Sequence, residues 1–365
     1  MILFGLGGVG RALVRQIIEN RKLHRNCFGL SLSLGAMCDS RGAVICSGRG
    51  LADGTVEEFL QLKESGKSLL EHPLGRAADL MAVAQEKADS SAIVVDCTAA
   101  AETTPALIAA LEKGSSIVLA NKKPLTQRQD LFDRLSCFAD RGRWHPERSR
   151  WESTVGAGLP VIATLSRLES CGDRVESLSG SLSSTLGYLM SGLGLGRPFS
   201  RLVREVRRRG YVEPDPREDL SGIDVARKAL ILARTLGHRR ELREVAVERL
   251  YPPAMDSLSV NEFMHQLPRL DSPLSARAGA AAAAGKVLRY VVDIGAQNCR
   301  VGVREVPLQS PLGQLAGTDQ LIQIRSVRYS QSPLLIQGRG SGVEATADGV
   351  LSDIVDLARI RHNGQ

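Results

Sequence analysis

The chain has 365 residues, 43% of them apolar, and a formal net charge of +7, and its length allows two domains or one large one. Its basic residues are dispersed, and the densest group, Arg204 with Arg207, Arg208 and Arg209, has the spacing of a solvated helix face, so we expect no nucleic-acid partner. The seven cysteines form no C-x-x-C pair, which excludes a zinc or disulfide framework, and we expect no membrane-spanning helix.

The first third of the chain predicts strands that alternate with helices. Residues 2–4 have the apolar composition of a short buried strand, and residues 9–20 follow with helical periodicity. A second apolar, strand-like run covers residues 28–37, and two more strands are predicted at residues 92–95 and 117–120. Because crossover helices join parallel strands, this alternation predicts an α/β domain built on a parallel sheet.

The composition changes around residues 141–151, where Arg, Trp, His and Pro accumulate. We place the first domain boundary there, so that residues 1–150 form one domain and residues 151–335 the second. In the second domain, residues 175–182 alternate between apolar and polar side chains, as a strand does, and residues 220–236 are predicted to form a long helix. An alanine-rich helix is predicted at residues 276–285, and two late strands are predicted at residues 288–292 and 334–336.

The turn after the first strand has the sequence Gly5-Leu6-Gly7-Gly8-Val9-Gly10. In this G-x-G-x-x-G pattern Gly5 permits the tight turn, Gly7 lets the backbone approach a pyrophosphate, and Gly10 allows close packing of the helix on the strand. The phosphates would meet the positive end of the helix. Because the pattern lies between a strand and a helix, it predicts a dinucleotide site rather than an ordinary glycine-rich turn.

Residues that follow the predicted strands are candidates for the same site. Asp39 ends the second apolar run, where an acidic side chain would bind the ribose hydroxyls of NAD, whereas Arg41 could receive the 2′-phosphate of NADP. The choice between NAD and NADP stays open. Thr98 and Lys122 lie just beyond two further strands, at the edge where open α/β sheets bind ligands. Lys122 could also be a surface lysine in a turn before Pro124.

The segment from residue 210 to residue 228 concentrates acidic residues in a loop stiffened by prolines: Glu213, Asp215, Glu218 and Asp219. Asp224 and Lys228 follow on one helical face. A capping box from Ser221 to Asp224 and a surface ion pair are the ordinary explanations of such a pattern. The acids exceed what one cap requires, however. Several carboxylates would suit a substrate with an ammonium group, and a lysine that they keep charged could protonate a carbonyl oxygen.

Several segments resemble homoserine dehydrogenase and occur in that family's order over nearly the whole chain. They are the acid-rich segment 210–228, Ala120-Asn-Lys-Lys-Pro124, Glu152-Ser-Thr-Val-Gly-Ala-Gly-Leu-Pro160, Ser183-Ser-Thr-Leu-Gly-Tyr188, Val301-Gly-Val-Arg-Glu-Val-Pro307 and Gly338-x-Gly340-x-Gly342. The resemblance is greatest to the monofunctional, yeast- and plant-like type. It implies a Rossmann-type nucleotide-binding domain, to which residues 336–365 return, and an α+β domain for substrate binding and dimerisation.

The resemblance implies NAD(P)-dependent reduction of L-aspartate 4-semialdehyde to L-homoserine, a step in the biosynthesis of threonine, methionine and isoleucine. Lys228 would be the proton donor, and Lys122 would lie between substrate and nicotinamide. Three acidic residues would engage the amino-acid substrate: Glu213, Asp219 and Asp224. The cofactor-binding set would comprise Gly5, Gly7, Gly8, Val9, Gly10, Asp39, Arg41, Thr98, Lys122 and Gly342.

The family also holds a sodium ion with backbone carbonyls, which here would belong to Glu152, Val155, Ala157 and Leu159. Two positions depart from the family pattern. Glycine is usual at the position of Ser184, and a small residue is usual at the position of Arg339, inside the last glycine-rich turn. Either departure could alter affinity or cofactor choice.

Two other interpretations stay open at this stage. The chain could be a related dehydrogenase of another small amino-acid aldehyde. It could also be a nucleotide-binding regulatory protein without catalysis, which the short first strand and the two departures would favour. In each case we expect a cytoplasmic protein, or a plastid stromal one if a transit peptide has been removed, because residue 1 directly precedes a strand. For the dehydrogenase, the resemblance implies a homodimer.

Overall fold

A computed structural model describes residues 1–46, 48, 50–137, 145–209 and 215–363. The chain divides into two compact units. Unit 1 comprises Met1–Ala163 with Ser341–Gln365, and unit 2 comprises Thr164–Gly340. Unit 1 therefore continues past the composition change at residues 141–151, of which residues 141–144 lie outside the described residues.

The elements follow in chain order. The first half of the chain forms β1 (Ile2–Phe4), α1 (Gly8–Glu19), α2 (Arg21–Phe28), β2 (Ala36–Cys38), β3 (Ala43–Ile45), α3 (Asp53–Glu64), α4 (Leu80–Lys87), β4 (Ile93–Asp96), α5 (Thr104–Glu112), β5 (Ser116–Leu119), α6 (Gln129–Leu135), β6 (Ser149–Arg150) and α7 (Val161–Ser170). The second half forms β7 (Val175–Ser181), α8 (Ser184–Gly194), α9 (Phe199–Arg208), α10 (Arg217–Leu220), α11 (Ile223–Thr235), β8 (Ala246–Val247), α12 (Val260–Gln266), α13 (Asp271–Ala283), β9 (Lys286–Gly295), β10 (Cys299–Pro307), α14 (Pro311–Gln314), β11 (Gln320–Ser326), β12 (Leu334–Gly338) and α15 (Val343–Asn363).

The six-stranded sheet of unit 1 has the order β3-β2-β1-β4-β5-β6. Its strands pair in parallel except at the edge, where β2 and β3 form an antiparallel hairpin. The connection between those two strands, residues 39–42, is too short for the crossover that parallel strands need. The predicted parallel α/β sheet is thus confirmed for every strand but β3. Strand β1 lies centrally and is buried along its whole length.

The prediction of a strand-like segment at residues 28–37 is wrong for most of these residues. Phe28 ends α2, Gly29 follows in the left-handed conformation with φ 67°, and only Ala36–Cys38 pair as a strand. Leu30, Leu32 and Leu34 are buried in a segment without regular secondary structure. Their alternate burial has the period of two that a strand also has, so sequence periodicity does not separate the two cases.

Helix α15 completes the core of unit 1. Its residues Val350 and Ile354 belong to the same hydrophobic cluster as Leu13 and Ile17 of α1. The side-chain amide of Gln16 also donates hydrogen bonds to the main-chain and side-chain oxygens of Glu344, both at 3.2 Å. The C-terminal segment is therefore packed against the helix that follows the glycine-rich turn.

The sheet of unit 2 has the order β12-β11-β7-β9-β10-β8 and is antiparallel except for the pair β10–β8. Helices α8, α11 and α13 pack against β9. The strands predicted at residues 175–182, 288–292 and 334–336 are confirmed.

The helix predicted at residues 220–236 is confirmed as α11, which begins later than predicted, at Ile223, while Leu220 ends the short preceding helix α10. Gly222, with φ 74°, lies at the N-cap position of α11 and offers no side chain to cap it. The hydroxyl of Ser221 donates to the carbonyl of Glu218 at 3.0 Å, which closes α10. The capping box considered for Ser221 and Asp224 is therefore not formed, because the left-handed glycine separates the two helices.

Helix α9 has its buried side chains on one face: Phe199, Leu202, Val203 and Val206. The arginines at positions 204, 207, 208 and 209 are exposed, which confirms the predicted solvated face. All seven cysteines lie among the described residues, and none of them is in a disulfide bond. None of the described helices combines the length and the apolar composition that a membrane crossing requires.

Candidate functional site

The glycine-rich turn between β1 and α1 is packed closely on the end of β4. Gly5 has φ 91°, and a Cβ atom there would lie 2.8 Å from the carbonyl carbon of Cys97. A Cβ on Gly10 would lie 2.0 Å from the carbonyl oxygen of Gly5, so both positions exclude a larger residue. A Cβ on Gly7 would meet nothing within 4 Å. The turn therefore combines two tightly packed glycines with one that faces open space.

Helix α1 begins at Gly8, and its N-cap residue Gly7 provides no side-chain cap. The first amide groups of a helix lack internal partners and carry partial positive charge, so they can bind phosphate oxygens. Val9 is half-buried in this first turn. A Cβ on Gly8 would lie 3.3 Å from Val343, which brings the preceding residue, Gly342 with φ 114°, close to the turn. The open backbone at these glycines fits a bound dinucleotide.

The carboxylate of Asp39 is occupied by hydrogen bonds within unit 1. It accepts from Lys63 Nζ at 2.7 Å, from the Leu69 amide at 2.8 Å, and from the amides of Arg41 and Gly42 at 2.9 and 3.0 Å. Burial opposes the charge, but these hydrogen bonds outweigh it and lower the pKa of Asp39 to about 2. The side chain of Arg41 is exposed and forms no ion pair within the described ranges. Of the two predicted ribose-site residues, Arg41 is the one with its charged group open to a ligand.

A buried polar network, which the sequence patterns did not predict, joins the ends of β4 and β5. The Asp96 carboxylate accepts from the Thr98 amide at 2.9 Å, the Thr103 hydroxyl at 2.7 Å and the Asn121 side-chain amide at 3.1 Å. The same Asn121 amide donates to the Thr98 hydroxyl at 3.1 Å. Burial raises the pKa of Asp96, against the effect of these hydrogen bonds. The network holds Thr98 and the residue before the half-buried Lys122. The sequence signal that could have indicated this network is a polar residue at or just after the end of each buried strand, Asp96 for β4 and Asn121 for β5.

In unit 2, helix α11 directs Lys228 to the end of β7. Its Nζ donates to the carbonyl oxygen of Leu182 at 2.8 Å and lies 3.0 Å from a carboxylate oxygen of Asp224. The Lys228 side chain is 13% exposed, while that of Asp224 is 43% exposed. A surface ion pair therefore does not explain this lysine. An ammonium group has three N–H donors, so Lys228 can still donate to a ligand.

The predicted acidic set is brought together only in part. Glu213 lies outside the described residues, and Asp219 is half-buried in α10, near the start of the helix that carries Asp224. Asp215 is occupied by the guanidinium of Arg217, which donates to both its oxygens at 2.6–3.0 Å and lowers its pKa. Arg217 also donates to three main-chain carbonyls of the segment after β8. Asp215 and Arg217 thus tie the start of α10 to the segment after β8.

The loop at residues 152–159 has irregular backbone geometry. A short 3₁₀ turn over Glu152–Thr154 is followed by two left-handed residues, Gly156 with φ 83° and Ala157 with φ 54°. The carbonyls of Glu152 and Leu159 each accept one amide hydrogen bond, at 3.3 and 2.8 Å. A carbonyl oxygen has two lone pairs, so an oxygen that accepts one hydrogen bond keeps a second lone pair for a cation.

A contact with α15 holds this loop in place. The main-chain amide of Glu152 donates to the carboxylate of Asp353 at 2.8 Å, and the Glu152 carboxylate accepts from the amides of Ile162 and Ala163 at 2.7 Å. Burial raises the pKa of Glu152 to about 7 and that of Asp353 to about 8. Asp353 was not predicted as a site residue, because nothing local in the sequence relates it to a residue so far away.

The two departures from the family pattern differ in environment. Ser184 begins α8, and its hydroxyl accepts a hydrogen bond from the side-chain amide of Gln320 at 3.3 Å. Arg339 is exposed. Ser184 is therefore part of a polar contact in unit 2, while Arg339 faces solvent.

Two family models match the chain. The model described as homoserine dehydrogenase, NAD binding domain, covers residues 5–144, and the model described as homoserine dehydrogenase covers residues 160–355. Together they include every described residue singled out above for the site except the loop at residues 152–159.

The curated relatives include bifunctional aspartokinase/homoserine dehydrogenases and homoserine dehydrogenases without the aspartokinase. The chloroplast bifunctional aspartokinase/homoserine dehydrogenase 1 of Zea mays is 34% identical over 98% of this chain, which spans 38% of that relative's length. The homoserine dehydrogenase of Paracoccidioides brasiliensis is 36% identical over 78% of this chain and 79% of its own. The chain therefore spans less than half of the bifunctional relatives and most of the fungal one.

Solved structures share the fold. A crystal structure of a protein of unknown function from Candida auris is 30% identical, covers 98% of this chain and 97% of its own, and has a TM-score of 0.81. A hyperthermophilic archaeal homoserine dehydrogenase in complex with NADPH is 23% identical, covers 97% and 95%, and has a TM-score of 0.73, a likeness that shows the fold alone. With its Rossmann-like NAD-binding domain and its catalytic domain, the chain belongs to the homoserine dehydrogenase family.

Proposed function

We propose that the chain is a homoserine dehydrogenase, which reduces L-aspartate 4-semialdehyde to L-homoserine. The observation that carries this proposal is Lys228, a nearly buried lysine held by the Leu182 carbonyl and the Asp224 carboxylate in a chain that matches both family models. When bound, the nicotinamide cofactor supplies the hydride in reduction and accepts it in oxidation. The remaining chemistry is proton transfer and binding, which the side chains of this chain perform.

Lys228 is the proposed general acid. As the aldehyde is reduced, its oxygen gains negative charge and takes a proton from the ammonium group of Lys228, and in homoserine oxidation the proton returns to the same amine. Asp224 stabilises the charged lysine because its carboxylate lies 3.0 Å from Nζ. Lys122 is proposed as the second catalytic residue. The carboxylates of Asp219, Asp224 and Glu213 are proposed to pair with the substrate's ammonium group.

The glycine-rich turn of unit 1 is the proposed dinucleotide site, with Thr98 and Gly342 beside it. We propose that the enzyme prefers NADP to NAD. Asp39, the residue that would bind ribose hydroxyls, uses its carboxylate for Lys63 and three main-chain amides, whereas the exposed guanidinium of Arg41 suits a 2′-phosphate.

The carbonyls of Glu152, Val155, Ala157 and Leu159 are the proposed ligands of a sodium ion. The support is the irregular loop, with its two consecutive left-handed residues, and the contact of Asp353 with the Glu152 amide. Hard cations of this kind bind oxygen ligands, including main-chain carbonyls. We expect the melting temperature to be higher in sodium chloride than in choline chloride of the same concentration. Equal melting temperatures would argue against the ion.

We further propose that residues 1–150 with 336–365 carry the cofactor and that residues 151–335 carry the substrate site and a homodimer surface. The sheet of unit 2 supports the dimer, since its edge strand β12 pairs, among the described strands, with β11 alone and leaves Leu335 43% exposed. Light scattering after size-exclusion chromatography tests this, and a monomer at micromolar concentration would contradict it.

The test of function is L-homoserine oxidation, followed by the absorbance of the reduced nicotinamide with NADP and NAD in parallel. We expect turnover with both and a higher kcat/KM with NADP. A panel of other small amino-acid alcohols identifies a related dehydrogenase if homoserine is not the preferred substrate. Cofactor binding without turnover on any of them would overturn the proposal and indicate a regulatory nucleotide-binding protein.

A further inference from the structure

Gln320, the first residue of β11, is buried with half of its amide group unsatisfied. Its side chain is 2% exposed, and Nε2 donates to the Gly340 carbonyl at 2.6 Å and to the Ser184 hydroxyl at 3.3 Å. Its Oε1 has no hydrogen-bond partner in the part of the chain that the structure describes. Buried polar atoms normally have a partner, because an unpaired one loses its hydration without compensation.

The orientation of this amide group is determined by its neighbours. The oxygen of Gly340 can only accept a hydrogen bond, so the atom 2.6 Å from it must be the amide nitrogen. Exchanging nitrogen and oxygen would bring two acceptors together. The free atom is therefore an acceptor, and only a donor can satisfy it.

Gln320 and Lys228 both contact residues near the end of β7 in unit 2. In the antiparallel pair of β11 and β7, Leu321 lies opposite Ser181 and Ile322 lies opposite Gly180. Gln320 directly precedes Leu321 and bonds to Ser184, two residues after Leu182, whose carbonyl accepts from Lys228. The unsatisfied acceptor thus lies at the same end of β7 as the proposed proton donor.

We propose that Gln320 binds the substrate and that its Oε1 accepts a hydrogen bond from the substrate's α-ammonium group. This inference rests on the proposed function. In L-aspartate 4-semialdehyde the carboxylate and aldehyde oxygens only accept, so the ammonium group is its one strong donor. An acceptor that serves both the aldehyde and homoserine must therefore face the ammonium group.

A neutral acceptor complements the proposed carboxylates. An ammonium group has three N–H donors and is bound best by three acceptors. The acids proposed to pair with it are Asp219, Asp224 and Glu213, of which Asp224 also lies 3.0 Å from Lys228 Nζ, and Gln320 adds a neutral acceptor without adding negative charge. Its bonds to Gly340 and Ser184 hold that oxygen in position before the substrate arrives.

The test compares Gln320→Met with Gln323→Met, a matched control on the same strand. Gln323 is half-buried, and its Oε1 already accepts from the Ser179 hydroxyl at 3.3 Å. We measure the KM of homoserine and the inhibition constants of L-2-aminobutyrate and butyrate, which differ by the ammonium group. We expect Gln320→Met to raise the KM of homoserine and the inhibition constant of L-2-aminobutyrate by about 10- to 100-fold, because a hydrogen bond to a charged group is lost. The inhibition constant of butyrate should be unchanged. The control variant should change none of them.

Other outcomes have distinct meanings. An equal rise in the inhibition constants of both inhibitors would show that Gln320 has a merely structural role, and unchanged constants would show that it has no role in binding. Either result would overturn the inference. The proposed function would still stand if the unaltered enzyme turns over homoserine. No turnover by the unaltered enzyme would overturn both. If Gln320→Met does not fold, a crystal structure of the unaltered enzyme with homoserine decides. An ammonium nitrogen within about 3.2 Å of Oε1 supports the inference, and one beyond about 4 Å overturns it.

Discussion

The ammonium group of Lys228 donates a hydrogen bond to the main-chain carbonyl of Leu182 over 2.8 Å. A helix residue is thereby held at the end of a strand by an acceptor that does not titrate. Together with the Asp224 carboxylate, this carbonyl limits the rotamers of a long side chain before any ligand binds, and that fixed position is what proton transfer requires.

Replacing Lys228 with alanine should lower kcat for homoserine by about 10²- to 10⁴-fold, because general acid–base catalysis contributes about that factor. NADPH binding, measured by fluorescence titration, should be unchanged. Lys286→Ala is the matched control, since Lys286 is a 42% exposed lysine of the same unit in an ion pair with Glu305. Unchanged turnover in Lys228→Ala would show that another group transfers the proton.

Alanine at Gly10 should lower the stability of the protein, whereas alanine at Gly7 should weaken cofactor binding. Gly10→Ala should unfold or strongly destabilise unit 1, because its Cβ would lie 2.0 Å from the Gly5 oxygen. Gly7→Ala should keep the melting temperature but weaken NADPH binding by about tenfold or more, because its Cβ would project into the space a pyrophosphate needs. Gly54→Ala, in α3 with nothing within 4 Å, is the control for both measurements. Full affinity in Gly7→Ala would place the phosphates elsewhere.

Arg41→Ala should raise the KM of NADP by about 10- to 100-fold and leave that of NAD unchanged, because only NADP has the 2′-phosphate that the guanidinium would bind. Arg25→Ala, which removes another exposed arginine of unit 1, should leave both constants unchanged. If Arg41→Ala changes the KM of NADP and that of NAD equally, Arg41 has a general electrostatic effect and does not bind the 2′-phosphate.

Asp39→Asn should destabilise the protein at pH 7 by about 1–3 kcal/mol, because an amide NH₂ would face the Leu69 amide and the Lys63 ammonium group. The folded-state pKa of Asp39 is about 2, below the unfolded value of about 3.9, so its stabilisation is present above pH 4 and is lost as the pH falls toward 2. Urea unfolding at pH 7 and at pH 3 should therefore show a smaller deficit at pH 3. The exposed Asp130→Asn is the control and should change stability little. The same deficit at both pH values would refute the pKa assignment.

The sequence by itself determined the elements that depend on local patterns. Hydrophobic periodicity predicted β1, α1, β4 and β5, and the spacing of Gly5, Gly7 and Gly10 predicted which turn leaves its backbone open. Lys228 and Asp224 were placed on one helix face by their separation in sequence. These features need only near neighbours along the chain, so they can be read from the order of residues. Periodicity failed at residues 28–37, where buried leucines alternate without sheet pairing.

Only the tertiary structure decided which polar groups satisfy each other. The Asp39 carboxylate is occupied because Lys63 and Leu69 reach it, the loop at Glu152 is held by Asp353, and the Gln320 oxygen has no described partner. These relationships join residues up to 201 positions apart. A hydrogen bond depends on distance and direction in space, which spacing along the chain does not contain.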